Sequence, residues 1–202
     1  VLNAVQGALT GFEGSFDTSI YYSAPIPGKC NRAIWQCDAD GANRRVLIAD
    51  GGKNCIHMFP MEMNDGGLMY MSFRTEAPSI FKLDAAQLLV ITEMTQPLAK
   101  NQKLRKSSVL PKSELDASLP PVPFARGEVP DRQYRGCAQN GRGELVCTIN
   151  DGDQADLFLM DLFGRPERNL TNAESDELSP VYSPDGNWIA YVSGKTGGPQ
   201  VY

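Results

Sequence analysis

Asp176-Glu177-Leu178-Ser179-Pro180-Val181-Tyr182-Ser183-Pro184-Asp185-Gly186, followed by Asn187-Trp188-Ile189-Ala190-Tyr191-Val192-Ser193, is the stretch from which the fold can be read. Asp185-Gly186 supplies a tight turn, and the residues after it alternate with the period of two expected of a half-buried strand. Asp65-Gly66-Gly67-Leu68-Met69-Tyr70-Met71-Ser72 repeats the pattern closely. Asn140-Gly141-Arg142-Gly143-Glu144-Leu145-Val146-Cys147-Thr148 is a looser copy, and Thr18-Ser19-Ile20-Tyr21-Tyr22-Ser23 keeps only the strand.

A second shared element follows each copy. Ala33-Ile34-Trp35-Gln36-Cys37-Asp38, Ser79-Ile80-Phe81-Lys82-Leu83-Asp84 and Asp156-Leu157-Phe158-Leu159-Met160-Asp161 all read aliphatic, aromatic, any, apolar, Asp. The chain ends inside a fourth copy, Gln200-Val201-Tyr202. Between the aliphatic positions 34, 80, 157 and 201 the intervals are 46, 77 and 44 residues. Turns such as Asp38-Ala39-Asp40-Gly41 and Phe163-Gly164-Arg165-Pro166 come next, then Arg45-Val46-Leu47-Ile48 or Arg168-Asn169-Leu170-Thr171. Each unit therefore reads as four short antiparallel strands. Repetition of such a unit every ~40 to 50 residues is the signature of an all-β propeller built from four-stranded blades. The blades expected are 10–52, 56–96, 131–171 and 176–202. That is about three and a half blades, an incomplete ring, because propellers close with about four to eight. An antiparallel sandwich with coincidentally similar turns would not keep two separate motifs at a nearly constant mutual spacing.

The Ser183-Pro184-Asp185-Gly186 segment, its strand, and Leu170-Thr171 before it resemble the TolB-like propeller repeat, the SPDG or PD40 class of WD40-like repeats. That resemblance implies a fold more than a chemistry, since such repeats serve several functions. It implies a non-catalytic protein interaction scaffold in the periplasm or cell envelope, whose partners are proteins or other subunits of a complex. The alternative it allows is the propeller of a larger enzyme, such as a prolyl-oligopeptidase-like serine peptidase, with the catalytic domain outside these residues.

The long interval exceeds its neighbours by about 32 residues, and the excess fits 97–130. This segment holds six of the 14 prolines and begins with a basic run through Lys100, Lys103, Arg105, Lys106 and Lys112. Proline at that density favours extended, polyproline-like chain over sheet or helix. Residues 97–130 are expected to be either a solvated surface excursion or a partner-docking arm. Nucleic-acid binding there is weakened by the lack of interleaved aromatics. It is also disfavoured for the whole chain, whose formal charge is -5 over 202 residues with 42% hydrophobic and 21% charged content. That balance is the balance of a globular protein. No apolar run approaches the ~18 residues of a spanning helix, and no targeting signal is visible. The start at Val1 points to a processed form or a fragment.

Cys137 and Cys147 lie symmetrically about position 142, so a hairpin turning there would set them face to face for a disulfide. Cys30 and Cys55 could meet at one end of the first blade. Cys37 occupies the apolar slot of Leu83 and Met160 and reads as a buried core thiol. Oxidised pairs would place the protein in the periplasm or outside the cell. No catalytic residue is assigned: His57 is the single histidine, it is read as a loop residue, and no Gly-x-Ser-x-Gly elbow accompanies it. Asn54-Cys55-Ile56-His57 lacks the first cysteine of a haem-attachment motif. Gly194-Lys195-Thr196 resembles the end of a phosphate-binding loop, but Ile189 stands where the first glycine is required. Asp151, Asp153 and Asp156 alternate as calcium ligands would, yet Gln154-Ala155 breaks the ligand-glycine step and no terminal glutamate follows, so they read first as turn carboxylates. Asn169-Leu170-Thr171 forms a glycosylation sequon that coincides with the repeat's own ending. No cofactor is expected.

Overall fold

A computed structural model describes residues 8, 18–50, 55–75, 77–95, 97–98, 123–127 and 132–202. They form four antiparallel sheets, each a meander of consecutive strands. The first holds β1 (Ser19–Ile26), β2 (Cys30–Asp38) and β3 (Arg45–Ile48). The second holds β4 (His57–Glu62), β5 (Leu68–Ser72) and β6 (Ser79–Leu83), and α1 (Ala85–Met94) follows it. The third is four-stranded: β7 (Gln133–Gln139), β8 (Leu145–Asn150), β9 (Ala155–Met160) and β10 (Pro166–Asn169). The fourth holds β11 (Glu177–Tyr182), β12 (Ile189–Ser193) and β13 (Gln200–Val201).

The hairpins form where the sequence places Asp-Gly. Gly66 and Gly186 sit at φ +76° and +71°, a conformation that costs glycine little and other residues more. Asp185 adds its side chain, accepting from the Asn187 amide at 3.1 Å and from the Ser183 hydroxyl at 2.5 Å. These bonds are local to the turn and need no tertiary contact.

The sheets stack in chain order, the first strand of each lying across the sheet before it: β4 on β1 and β2, β7 on β4 to β6, β11 on β7 to β9. Alternation then sorts side chains between successive interfaces. All five residues of β5 are buried. Leu68 and Tyr70 join Ile34, Leu47 and Ile48 of the first sheet, whereas Met69 and Met71 join Tyr134, Cys147 and Ile149 of the third. Val146, on the opposite face of β8, meets Tyr182, Ile189 and Tyr191 of the fourth sheet. Each fully buried large apolar side chain among them, such as Ile34, Leu68 or Met69, is worth roughly 1.5–3 kcal/mol. The stack is therefore held by its interfaces rather than by any single sheet.

The second unit corrects the expectation of four strands throughout. Where a fourth strand was expected, Asp84 caps α1: its carboxylate accepts from the Gln87 amide at 2.8 Å, and Gln87 Oε1 accepts from the Asp84 amide at 3.0 Å. This reciprocal capping box, ahead of the good helix formers Ala85-Ala86-Gln87-Leu88-Leu89, outweighs the strand tendency of Val90-Ile91-Thr92. Leu88 and Ile91 bury against the first interface. The first and fourth sheets have three described strands each, so only the third has four. No helix among the described residues is long and apolar enough to cross a membrane.

Candidate functional site

His57 is not a loop residue. It is the first residue of β4 and is fully buried, because the β4–β5 register sets it opposite Ser72 beneath the first sheet. Its Nδ1 lies 2.9 Å from Ser72 Oγ, and its Nε2 lies 3.6 Å from Asp50 Oδ1. Asp50 Oδ2 faces Arg74 Nε at 3.7 Å, and the His57 ring meets Tyr70 edge-on. Ser72 also accepts from the Arg74 amide at 3.1 Å. A hydroxyl, an imidazole and a carboxylate thus stand in line. Ser72 and His57 are both 0% exposed, so no substrate can reach this hydroxyl, and the array acts as a polar pin between two sheets.

A serine at the same place recurs along the stack, with different partners. Tyr-x-Ser occurs at 21–23, 70–72 and 191–193. Ser23 donates to the His57 carbonyl at 2.8 Å, and Ser193 donates to the buried carboxylate of Glu177 at 2.8 Å. Glu177 and Ser193 are register partners, as His57 and Ser72 are. The triplet was visible in the sequence as a repeat; its role depends on register, which the sequence does not display.

Beside His57 lies the Cys30–Cys55 disulfide, with Cα atoms 5.0 Å apart, tying the start of β2 to the residue two before β4. Cys137 and Cys147 are register partners on β7 and β8 and form a second disulfide, Cα to Cα 4.0 Å. Cys37 is a free, buried thiol whose pKa is raised, first by burial and then by the neighbouring Asp38 carboxylate. Two disulfides fit an oxidising compartment.

Asp151, Asp153 and Asp156 line a shallow recess together with Gln154, Phe158 and Asn169. Asp156 is engaged: it accepts from the Thr171 hydroxyl at 2.7 Å, the Asn169 amide group at 3.1 Å and the Ala173 amide at 3.1 Å. Asp151 pairs with Arg132 at 3.1 Å. Asn169 and Thr171 of the sequon are thereby tied to β9. Among the described residues the group whose ligand atoms lie close enough together to hold a metal is not these three carboxylates but Cys30, Cys55 and His57, whose two sulfurs are joined in the disulfide.

Most of 97–130 lies outside the described residues, but both ends are anchored. Leu98 is buried and its amide donates to the Arg44 carbonyl. Ala125 exchanges two backbone hydrogen bonds with Ile80, at 2.9 and 3.1 Å, along the free edge of β6. The Gly127 amide donates to Ser79 Oγ at 2.9 Å, and a Cβ at this position would stand 2.3 Å from the Pro78 carbonyl oxygen. Gly194-Lys195-Thr196 occupies a turn, where the Gly197 amide bonds back to the Gly194 carbonyl and Lys195 Nζ lies over the Tyr202 ring.

The outer face of the fourth sheet is apolar and open. Leu178 pairs with Val192, Val181 with Ala190, and Val192 with Val201, so all five share one face. Val181, Val201 and the neighbouring Trp188 are 59%, 74% and 76% exposed. In the three preceding sheets such positions are covered by the next sheet.

No family model matches the chain. It is 29% identical over 189 residues to a TolB homolog of Chlorobium chlorochromatii, covering 93% of this chain and 34% of that protein. A TolB homolog of Chlorobium luteolum is 41% identical over 82 residues, which is 36% of this chain and 19% of that protein. The chain thus spans about a third or less of these relatives. Among solved structures, TolB from Acinetobacter baumannii superposes with a TM-score of 0.64 at 19% identity, over 99% of this chain and 42% of that one. The four stacked sheets therefore have a TolB-like fold.

Proposed function

We propose that the chain is part of a TolB-like β-propeller, its blades at 10–52, 56–96, 131–171 and 176–202, serving as a non-catalytic protein–protein interaction scaffold in the periplasm or cell envelope. The observation that carries this is the stack itself. Four meander sheets, similar over nearly their whole length to part of TolB, end in an uncovered apolar face of the kind every earlier sheet buries. Further sheets on that face would continue the ring, leaving the rims and the 97–130 excursion as contact surfaces. The disulfides support an oxidising compartment. The enzymatic alternative gains nothing from these residues, because the hydroxyl–imidazole–carboxylate array is sealed inside the fold.

Photo-crosslinkers placed along 101–121 of the full-length protein in its own cells test this. Crosslinks to envelope proteins, with loss of those partners when 101–121 is deleted from a protein that still folds, are expected. Retention of every partner after deletion would overturn the docking role of the segment. Recovery of the protein with all five cysteines as free thiols would overturn the oxidising location.

A further inference from the structure

Cys30, Cys55 and His57 are all buried, and one ligand atom from each lies within 4.8 Å of the others. Cys55 Sγ is 3.9 Å from His57 Nε2, and Asp50 Oδ1 is 3.6 Å from that same nitrogen. Zinc binds sulfur at about 2.3 Å and imidazole nitrogen or carboxylate oxygen at about 2.0–2.2 Å in a tetrahedron, so its neighbouring ligands stand about 3.3–3.8 Å apart. The sulfur–nitrogen and nitrogen–oxygen spacings are already within a few tenths of an ångström of that. Reduction lets the two sulfurs separate, and the Asp50 carboxylate, which lies outside the set of ligand atoms within 4.8 Å of one another, must move toward them to complete the tetrahedron.

The surroundings fit an ion. Ser72 holds His57 by Nδ1, which turns Nε2 toward the two sulfurs, the outer-shell arrangement that fixes a metal-binding histidine. Two thiolates and Asp50 around Zn²⁺ and a neutral imidazole leave one net negative charge. Arg74, against the other oxygen of Asp50, offsets it. A buried site needs that balance, since an uncompensated charge is costly there.

We propose that reduction of the Cys30–Cys55 disulfide converts this cluster into a zinc site with Cys30, Cys55, His57 and Asp50 as ligands, so that disulfide and metal occupy the place alternately. A dithiol reductant delivers two electrons and two protons to the sulfurs and becomes a disulfide itself. Zn²⁺ then displaces both thiol protons. Either state links β2 in the first sheet to the entry of β4 in the second.

The full chain, reduced with dithiothreitol and freed of it under argon, is titrated with Zn²⁺ against a chromophoric chelator and with Co²⁺ by visible absorption. One tightly bound Zn²⁺ per reduced chain, none per oxidised chain, and a tetrahedral thiolate–Co²⁺ spectrum are expected. Binding persists in Cys137→Ala/Cys147→Ala and weakens about 10–100-fold in Ser72→Ala, which keeps all four ligands but frees the imidazole. No stoichiometric binding by the reduced chain overturns the proposal, as does binding that survives Cys30→Ala/Cys55→Ala.

Discussion

Asp65 and Asp185 occupy the same place in two copies of the repeat, and both carboxyls are held below their ordinary value of 3.8. For Asp65 the leading cause is the hydrogen bond from Lys82, at 3.0 Å; for Asp185 it is the Ser183 hydroxyl, followed by the Asn187 amide. Each donor favours the ionised form. A folded pKa below the unfolded one stabilises the fold above the unfolded value, and that stabilisation is lost as pH falls through the folded value. Both groups are exposed, so the effect is small and screened by salt. The variant Asp65→Asn/Asp185→Asn is therefore expected to show a shallower loss of stability than the native chain as pH falls below the ordinary carboxyl value of 3.8, measured by urea unfolding. An unchanged slope would show that the two turns carry no proton linkage.

At the scale of the element, α1 exists because its cap and its buried side agree. Replacing the cap, Asp84→Ala, leaves the Gln87 amide without its acceptor and is expected to cost about 1 kcal/mol, read from the urea midpoint. The helix was legible in Asp84-x-x-Gln87 ahead of an Ala-Leu run, a sufficient start signal by itself. The four-strand pattern of the neighbouring units masks it. The turn glycines and the alternation of β5 and β12 were plain in the sequence, because they rest on backbone conformation and on a period of two. Burial of β5 on both faces was not, since Met69 and Met71 are compatible with either environment. His57 was misplaced for a related reason: beside Asn54 and Cys55 it looks like loop, and only the register with Ser72 makes it strand.

At the scale of the molecule, the first three sheets have partners and the fourth keeps an apolar face. Trp188→Ser on that exposed surface is expected to leave the stability of this 202-residue chain within about 0.5 kcal/mol. It should also raise the monomer fraction in sedimentation velocity, because contiguous exposed apolar area drives association. A loss of several kcal/mol would instead mean that Trp188 is packed within the chain.

The sequence alone determined the repeat, the hairpin turns and the TolB-like resemblance, all of which follow from local spacing and turn chemistry. The symmetry of Cys137 and Cys147 about one turn, and the placement of Cys30 and Cys55 at one end of the first unit, raised these two pairings as candidates. Tertiary structure decided that Ser72, His57 and Asp50 converge beside Cys30 and Cys55. These five residues come from different strands and connections, and their meeting depends on strand register and on how one sheet lies across the next. A one-residue slip in strand register would send His57 to the opposite face and dissolve the cluster.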